Sequence, residues 1–280
     1  DLSMMGMAPV VAEVVGLGEL APGRIAIKLH APSFVAGLRP GHELHLLRAE
    51  AGGYRLRRVA PVTLLDPLRG VVEVGLQPRA DGGRDSLADI RIGERVALTG
   101  PIGQPIPKVP RSTQLLVACD GEGFAWVRLL INTAVAEGRS VVLAQSAQTA
   151  AELIPAALLP ERVEIVVATA DGSLGVHGSI ADLLPQYVAW ADQAVAAGAS
   201  TLVDAARSAA RKHLSGSRTT ARGSRSSRRE GDAWLSVIVT HEVGCGSGVC
   251  GGCTVPTRTG SIRLCREGPA IDVSSFDGGR

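Results

Sequence analysis

The chain has 280 residues and a net charge of +2, with 45% hydrophobic residues but only 3% aromatic ones. That charge balance argues neither for a nucleic-acid nor for a membrane-surface partner, and so few aromatics leave little to stack on bases or sugars. No apolar run approaches the ~18 residues of a membrane span, and the length suffices for two or more cores.

The N-terminal Met4-Met5-Gly6-Met7 is too short and uncharged for a signal sequence, so the cytoplasm is the expected location. Residues 8–108 read as β structure. Val10 to Val15, Arg24 to Leu29, His42 to Arg48, Val71 to Leu76 and Arg95 to Thr99 are short runs rich in Val, Ile and Leu between Gly and Pro punctuation. Strands at this spacing predict a closed antiparallel barrel. From about Gln114 the rhythm changes to strand, helix, strand. Leu115 to Ala118, Val141 to Ala144 and Val163 to Ala168 are strand-like, and Trp126 to Glu137 and Ala150 to Leu159 are helix-like. Such alternation implies a parallel sheet with a ligand crevice at its carboxyl edge. Helices over Tyr187 to Ala197 and Leu202 to Leu214 would close this second unit, 109–214.

Ser215 to Gly231 then breaks the pattern with five arginines and no large apolar residue, the composition of a linker or exposed loop. Trp234 to Val239 reads as a strand leading into a small C-terminal domain, 232–280. A domain of that size generally needs a metal to hold it. The fold class expected is therefore α+β multidomain: antiparallel β-barrel, nucleotide-binding-like α/β unit, small metal domain.

Four of the chain's five cysteines lie in that last domain, as Cys245-x4-Cys250-x2-Cys253 with eleven residues between Cys253 and Cys265. This is the spacing that holds a plant-type 2Fe-2S cluster. Gly244, Gly246, Gly248, Gly251 and Gly252 let the backbone curl tightly enough to aim N–H groups at sulfur. Zinc and disulfides are the alternatives. Zinc ribbons usually pair two Cys-x2-Cys knuckles where this chain has one, and disulfides suit small secreted domains. Elsewhere, Cys119 ends an apolar strand and reads as a small hydrophobe. His42 and His45 lie three apart on a strand and make a poor metal pair. His241 lacks the spacing of a Rieske centre.

The order of parts resembles the electron-transfer subunit of two-flavin dihydroorotate dehydrogenase, within the ferredoxin-reductase-like superfamily. Gly251-Gly252-Cys253-Thr254-Val255-Pro256 and Cys265-Arg266-Glu267-Gly268-Pro269 carry that resemblance most specifically. Gly100-Pro101-Ile102-Gly103 is similar to the turn ending the family's barrel, and Asp171 to Ser179 to its Asp-Gly-Ser segment. The resemblance implies FAD in the barrel, NAD on the α/β unit, a 2Fe-2S cluster on Cys245, Cys250, Cys253 and Cys265, and a hetero-oligomer with a flavin-containing dehydrogenase subunit.

Carried over residue by residue, Arg58 becomes the FAD diphosphate ligand, and Thr63 supplies a hydroxyl to the flavin if its segment shifts by two residues. Gly82, Gly83 and Arg84 would cap a phosphate at a helix start. Gly121 and Gly123 keep the strand-to-helix turn of the NAD site. Asp120 and Glu122, however, place carboxylates where a pyrophosphate would approach, and the family's Cys-Gly-Pro reads Ala197-Gly198-Ala199. The expectation is a relay of electrons to or from a partner, without efficient NAD(P)H oxidation by this chain and with no catalytic residue of bond-making type. The competing readings are a scaffold subunit that docks into a larger complex, and a reductase subunit of another oxidoreductase.

Overall fold

In the computed structural model the described residues are 9–48, 57–76, 87–217, 234–239 and 243–275. The first unit runs β1 (Val10–Ala21), β2 (Arg24–His30), one helical turn α1 (Pro32–Val35), β3 (Glu43–Arg48), β4 (Arg58–Asp66), β5 (Val71–Leu76) and β6 (Arg95–Ile102). These six strands close into an antiparallel barrel in the order β1-β2-β5-β4-β3-β6. Val14, Ile27, Leu29, Leu44, Leu46, Val62, Val72, Val74, Val96 and Leu98 fill it. Strand alternation sends the neighbours Glu43, His45 and Glu73 outwards, yet they too are buried. Other parts of the chain therefore cover this side of the barrel.

β4 falls on the stretch read from sequence only as a phosphate-binding segment. Pro61 argues against a strand interior, and here it sits opposite Glu43 next to a register shift between Val62 and Leu64.

The second unit has β7 (Gln114–Cys119), α2 (Phe124–Ala136), β8 (Ser140–Ala147), β9 (Val163–Thr169), the two-residue β10 (Val176–His177), α3 (Leu184–Trp190), β11 (Gln193–Gly198) and α4 (Ser200–Ser217). Two sequence expectations are corrected. The helix expected over Ala150 to Leu159 is a pair of single 3-10 turns, because Pro155 and Pro160 interrupt it. The helix expected from Tyr187 to Ala197 stops at Trp190, and Gln193–Gly198 is a strand buried along its whole length. Its small residues let helices pack on both faces. Ala194 and Ala196 share a buried cluster with Leu202 and Ala206 of α4, while Val195 and Ala197 share another with Phe124 and Val127 of α2.

The last segment contributes β12 (Leu235–Val239), the cysteine loop, β13 (Thr254–Thr257), β14 (Gly260–Arg263), the short α5 (Leu264–Glu267) and β15 (Ala270–Asp272). β12 pairs in parallel with β11, and β15 pairs antiparallel with β12. They complete a seven-stranded sheet in the order β10-β9-β8-β7-β11-β12-β15. The cysteine-bearing residues are thus stitched into the α/β sheet. Of the Arg/Ser-rich stretch 215–231, Ser215 to Ser217 continue α4 and the rest lies outside the described residues.

Candidate functional site

All four C-terminal cysteines are free thiols. Cys253 and Cys265 are buried, Cys245 is half-buried and Cys250 is exposed beside Val249, itself 86% exposed. Gly246 and Gly248 hold φ of +67° and +81°, a conformation open to glycine at little cost, and so curl the backbone around the sulfurs. The N–H groups of Ser247, Gly252 and Cys265 donate to the Sγ atoms of Cys245, Cys250 and Cys253 at 3.4, 3.5 and 3.5 Å.

Cys245 interacts with Cys250 and Cys265 with Cys253, and the charge of Cys245 also bears on Cys265. Burial opposes ionisation of Cys245, but hydrogen bonds from Ser247 and from the backbone and thiol of Cys250 bring it down to about 5. Burial, followed by the hydrogen bond and charge of Cys253, pushes Cys265 up to about 12. No three Cys, His, Asp or Glu side chains among the described residues gather round one point as a single metal ion requires. Four free thiols at this spacing fit a two-iron cluster, in which each iron takes two cysteine sulfurs.

The barrel holds this loop from one side. His45 of β3 donates a ring N–H to the Gly244 carbonyl. Gly246 packs so closely on the His45 ring that an added Cβ would lie 2.6 Å from Cε1. Ile102, at the end of β6, shares an apolar cluster with Cys253 and Cys265. The turn that ends the barrel and the segment around the fourth cysteine are zipped together. Gly103 N donates to the Cys265 carbonyl at 3.0 Å, and Gln104 Nε2 to that of Arg266 at 3.0 Å.

The flavin candidates fare unequally. Arg58 opens β4, half-buried and paired across the ladder with Leu46. Thr63 is fully buried, and the hydroxyl expected to face a flavin is donated to Glu73 Oε1 at 2.7 Å. Glu73 also accepts from Arg128 of α2, and Ala125 of that helix presses on Gly75. Helix α2 therefore covers this part of the barrel wall. Gly82, Gly83 and Arg84 lie outside the described residues.

In the α/β unit, Gly121 and Gly123 form the turn between β7 and α2. A Cβ at Gly123 would fall 1.9 Å from the Ala197 carbonyl oxygen, so only glycine fits. Asp120 Oδ1 accepts from the N–H groups of Glu122 and Gly123, both at 2.9 Å, and Oδ2 from Ala199 N at 2.7 Å. Cys119 is fully buried, its thiol pushed well up by burial and then by the Asp120 charge.

Residues 241–277 match the iron-sulfur cluster binding domain of dihydroorotate dehydrogenase B. The electron-transfer subunit of dihydroorotate dehydrogenase B (NAD(+)) from Desulforamulus reducens is 25% identical over 266 residues, covering 93% of this chain and 95% of that protein. The subunit of the same description from Shouchella clausii is 27% identical over 242 residues, 84% of this chain and 85% of its own length. This chain resembles that subunit along most of its length. Among solved structures, an NADH-dependent reduced ferredoxin-NADP oxidoreductase superposes with a TM-score of 0.73 at 19% identity, over 96% of this chain and 91% of its own. A ferredoxin NADP+ reductase from Neisseria gonorrhoeae, solved with FAD and NADP, gives 0.60 at 17% identity, over 82% and 98%. The fold is ferredoxin-reductase-like.

Sequence reasoning passed over the polar residues on the covered barrel wall. From sequence His45 reads only as a poor metal ligand, and its place against the cysteine loop follows from the fold. Glu43 accepts from Trp126 Nε1 at 3.2 Å, joining β3 to α2. Alternation with the interior residues Leu44 and Leu46 places a His and a Glu on an outward face, which from sequence reads as solvated; only the fold shows that it is covered.

Proposed function

We propose that the chain is the electron-transfer subunit of an oxidoreductase, relaying electrons through a 2Fe-2S cluster held by Cys245, Cys250, Cys253 and Cys265. The observation that carries this reading is the set of four free thiols within residues that match an iron-sulfur cluster binding domain. When bound, such a cluster supplies one-electron redox chemistry. The protein's part is to bind, shield and expose. The four thiols are the donor set. The N–H groups of Ser247, Gly252 and Cys265 stabilise negative charge on sulfur and tune its potential. Burial of Cys253 and Cys265 keeps water from the inner side, while Cys250 and Val249 give a partner a close approach from outside.

In this reading 8–108 is the flavin unit, 109–214 the nucleotide-binding-like unit, 215–231 the connection and 232–280 the cluster unit. FAD would be held by the barrel, with Arg58 as a ligand of its diphosphate; the resemblance would add Gly82, Gly83 and Arg84, which lie outside the described residues. The resemblance supports a flavin-containing dehydrogenase subunit as partner, in pyrimidine biosynthesis and in the cytoplasm. No helix among the described residues is long and apolar enough to cross a membrane.

The test is an absorption spectrum of the anaerobically purified protein before and after dithionite, with iron, zinc and flavin measured on the same sample. Two irons per chain and a visible band that bleaches are expected, together with flavin. Cys250→Ser should lose the band and leave the barrel folded. An unchanged spectrum in that variant, or a colourless wild-type protein, would sink the assignment.

A further inference from the structure

The order of the sheet places β7 beside β11 at the point where the connections diverge. From β7 the chain winds out to β8 and β9 on one side, whereas β11 and β12 lie on the other. Past the carboxyl ends of two such strands an open α/β sheet has its ligand crevice, and a helix N-terminus there offers N–H groups to a phosphate. The first residue beyond β7 is Asp120, and the first beyond β11 is Ala199.

The Asp120 carboxylate bridges the two. It takes the N–H groups of Glu122 and Gly123 at the start of α2 on one oxygen and that of Ala199 on the other. Gly198 approaches so closely that an added Cβ would lie 2.4 Å from the carboxylate. With Gly123 against the Ala197 carbonyl, the two strand ends are closed on each other around a fixed negative charge. Both partners of the bridge depart from the family pattern. Asp120 puts a carboxylate where the resemblance implies an approaching pyrophosphate, and Ala199 stands where it implies proline, which has no N–H to give. The two departures fit one another, since the donor gained at 199 is consumed by the acceptor gained at 120. Glu122 adds a second negative charge on the same turn.

We propose that Asp120 is an internal anion standing in for the pyrophosphate of a pyridine dinucleotide, so that the α/β unit is a self-occupied layer that binds neither NADH nor NADPH. Taken with the relay reading above, on which this clause rests, electrons enter the chain from a reduced partner protein.

The experiment titrates the full-length, cluster-bearing protein with NADH, NADPH and inorganic pyrophosphate by calorimetry, and follows the cluster band on adding NADH or dithionite. The expected result is no binding and no reduction by NADH, with bleaching by dithionite. The same titrations on Asp120→Gly/Ala199→Pro, where a like charge is gone and the N–H groups of Glu122 and Gly123 are freed, and on Asp120→Asn, where the charge alone is gone, should show pyrophosphate binding at least about tenfold above the limit set by wild type. Wild-type protein that binds NADH or NADPH in the micromolar range, or is bleached by NADH, overturns the proposal. So does a folded pair of variants with no gain in pyrophosphate affinity. Should the double variant fail to fold, Asp120→Asn and the wild-type titration still decide. Absence of any cluster band would defeat the relay reading alone, since the nucleotide titrations do not depend on it.

Discussion

Replacing Arg128 by Met tests how the barrel and the α/β unit are held together. The Arg128 and Glu73 side chains are only 9% and 5% exposed, and Glu73 also holds the Thr63 hydroxyl. Removing one partner of a buried ion pair typically costs about 3–5 kcal/mol, because the remaining charge is stranded. Two features pull the figure to the low end here. The Thr63 hydroxyl still donates to Oε1, and Lys28, half-exposed, lies 4.0 Å from Oε2 and can approach as solvent closes in. Arg128→Met should therefore cost about 3 kcal/mol. Arg128→Met with Glu73→Gln leaves no stranded charge and should return to within about 1 kcal/mol of wild type, a recovery of about 2 kcal/mol over the single variant. Urea unfolding followed by tryptophan fluorescence reads this directly, since Trp126 lies in the same interface. A cost below about 1 kcal/mol for Arg128→Met, or a double variant no better than the single one, would refute the idea that this ion pair carries the interface.

Gly246→Ala puts a Cβ 2.6 Å from the His45 ring at a φ of +67°, and should lower the iron bound per chain while the barrel keeps its circular dichroism. Gly123→Ala meets a backbone oxygen at 1.9 Å and should prevent folding or cost upwards of about 4 kcal/mol, read as soluble yield and urea midpoint. His45 is held down at about 4, by burial first and then by the Arg57 charge, against the hydrogen bond to Gly244. Its folded value lies below the ordinary 6.5, so stability is full above that pH and is lost as pH falls towards 4, by at most about 3 kcal/mol. Urea midpoints of the cluster-free protein at pH 7.5 and pH 5 should differ less in His45→Gln than in wild type; equal slopes would contradict this.

The parts of the site legible in the sequence are those whose chemistry is local. Cysteine spacing is local, because one loop must place three sulfurs within reach of a cluster, and the glycines between them mark its curl. The barrel strands were legible from β-branched runs except β4, where Pro61 masks a strand that tolerates it beside a bulge. β11 was misread because Gln193-Ala-Val-Ala-Ala-Gly198 has helix-forming composition, and only burial between β7 and β12 makes it a strand. The Asp120 charge was visible as a conflict with phosphate. Its partner Ala199 was not, since 79 residues separate the two and only the sheet order makes them neighbours. His45 was equally out of reach, as its purpose depends on a loop some two hundred positions away.

The pairing of β12 with β11 carries a consequence for how the protein is made. β11 is buried along its whole length in the finished sheet, yet its outer edge finds its partner only when Leu235–Val239 has been synthesised. On the ribosome, the nascent α/β layer waits with a bare apolar edge while α4 and the arginine-rich stretch emerge, and an unpaired edge of that kind invites pairing with other chains. A chain cut off before Trp234 would lose more than its cysteines: it would be left permanently in that unfinished state.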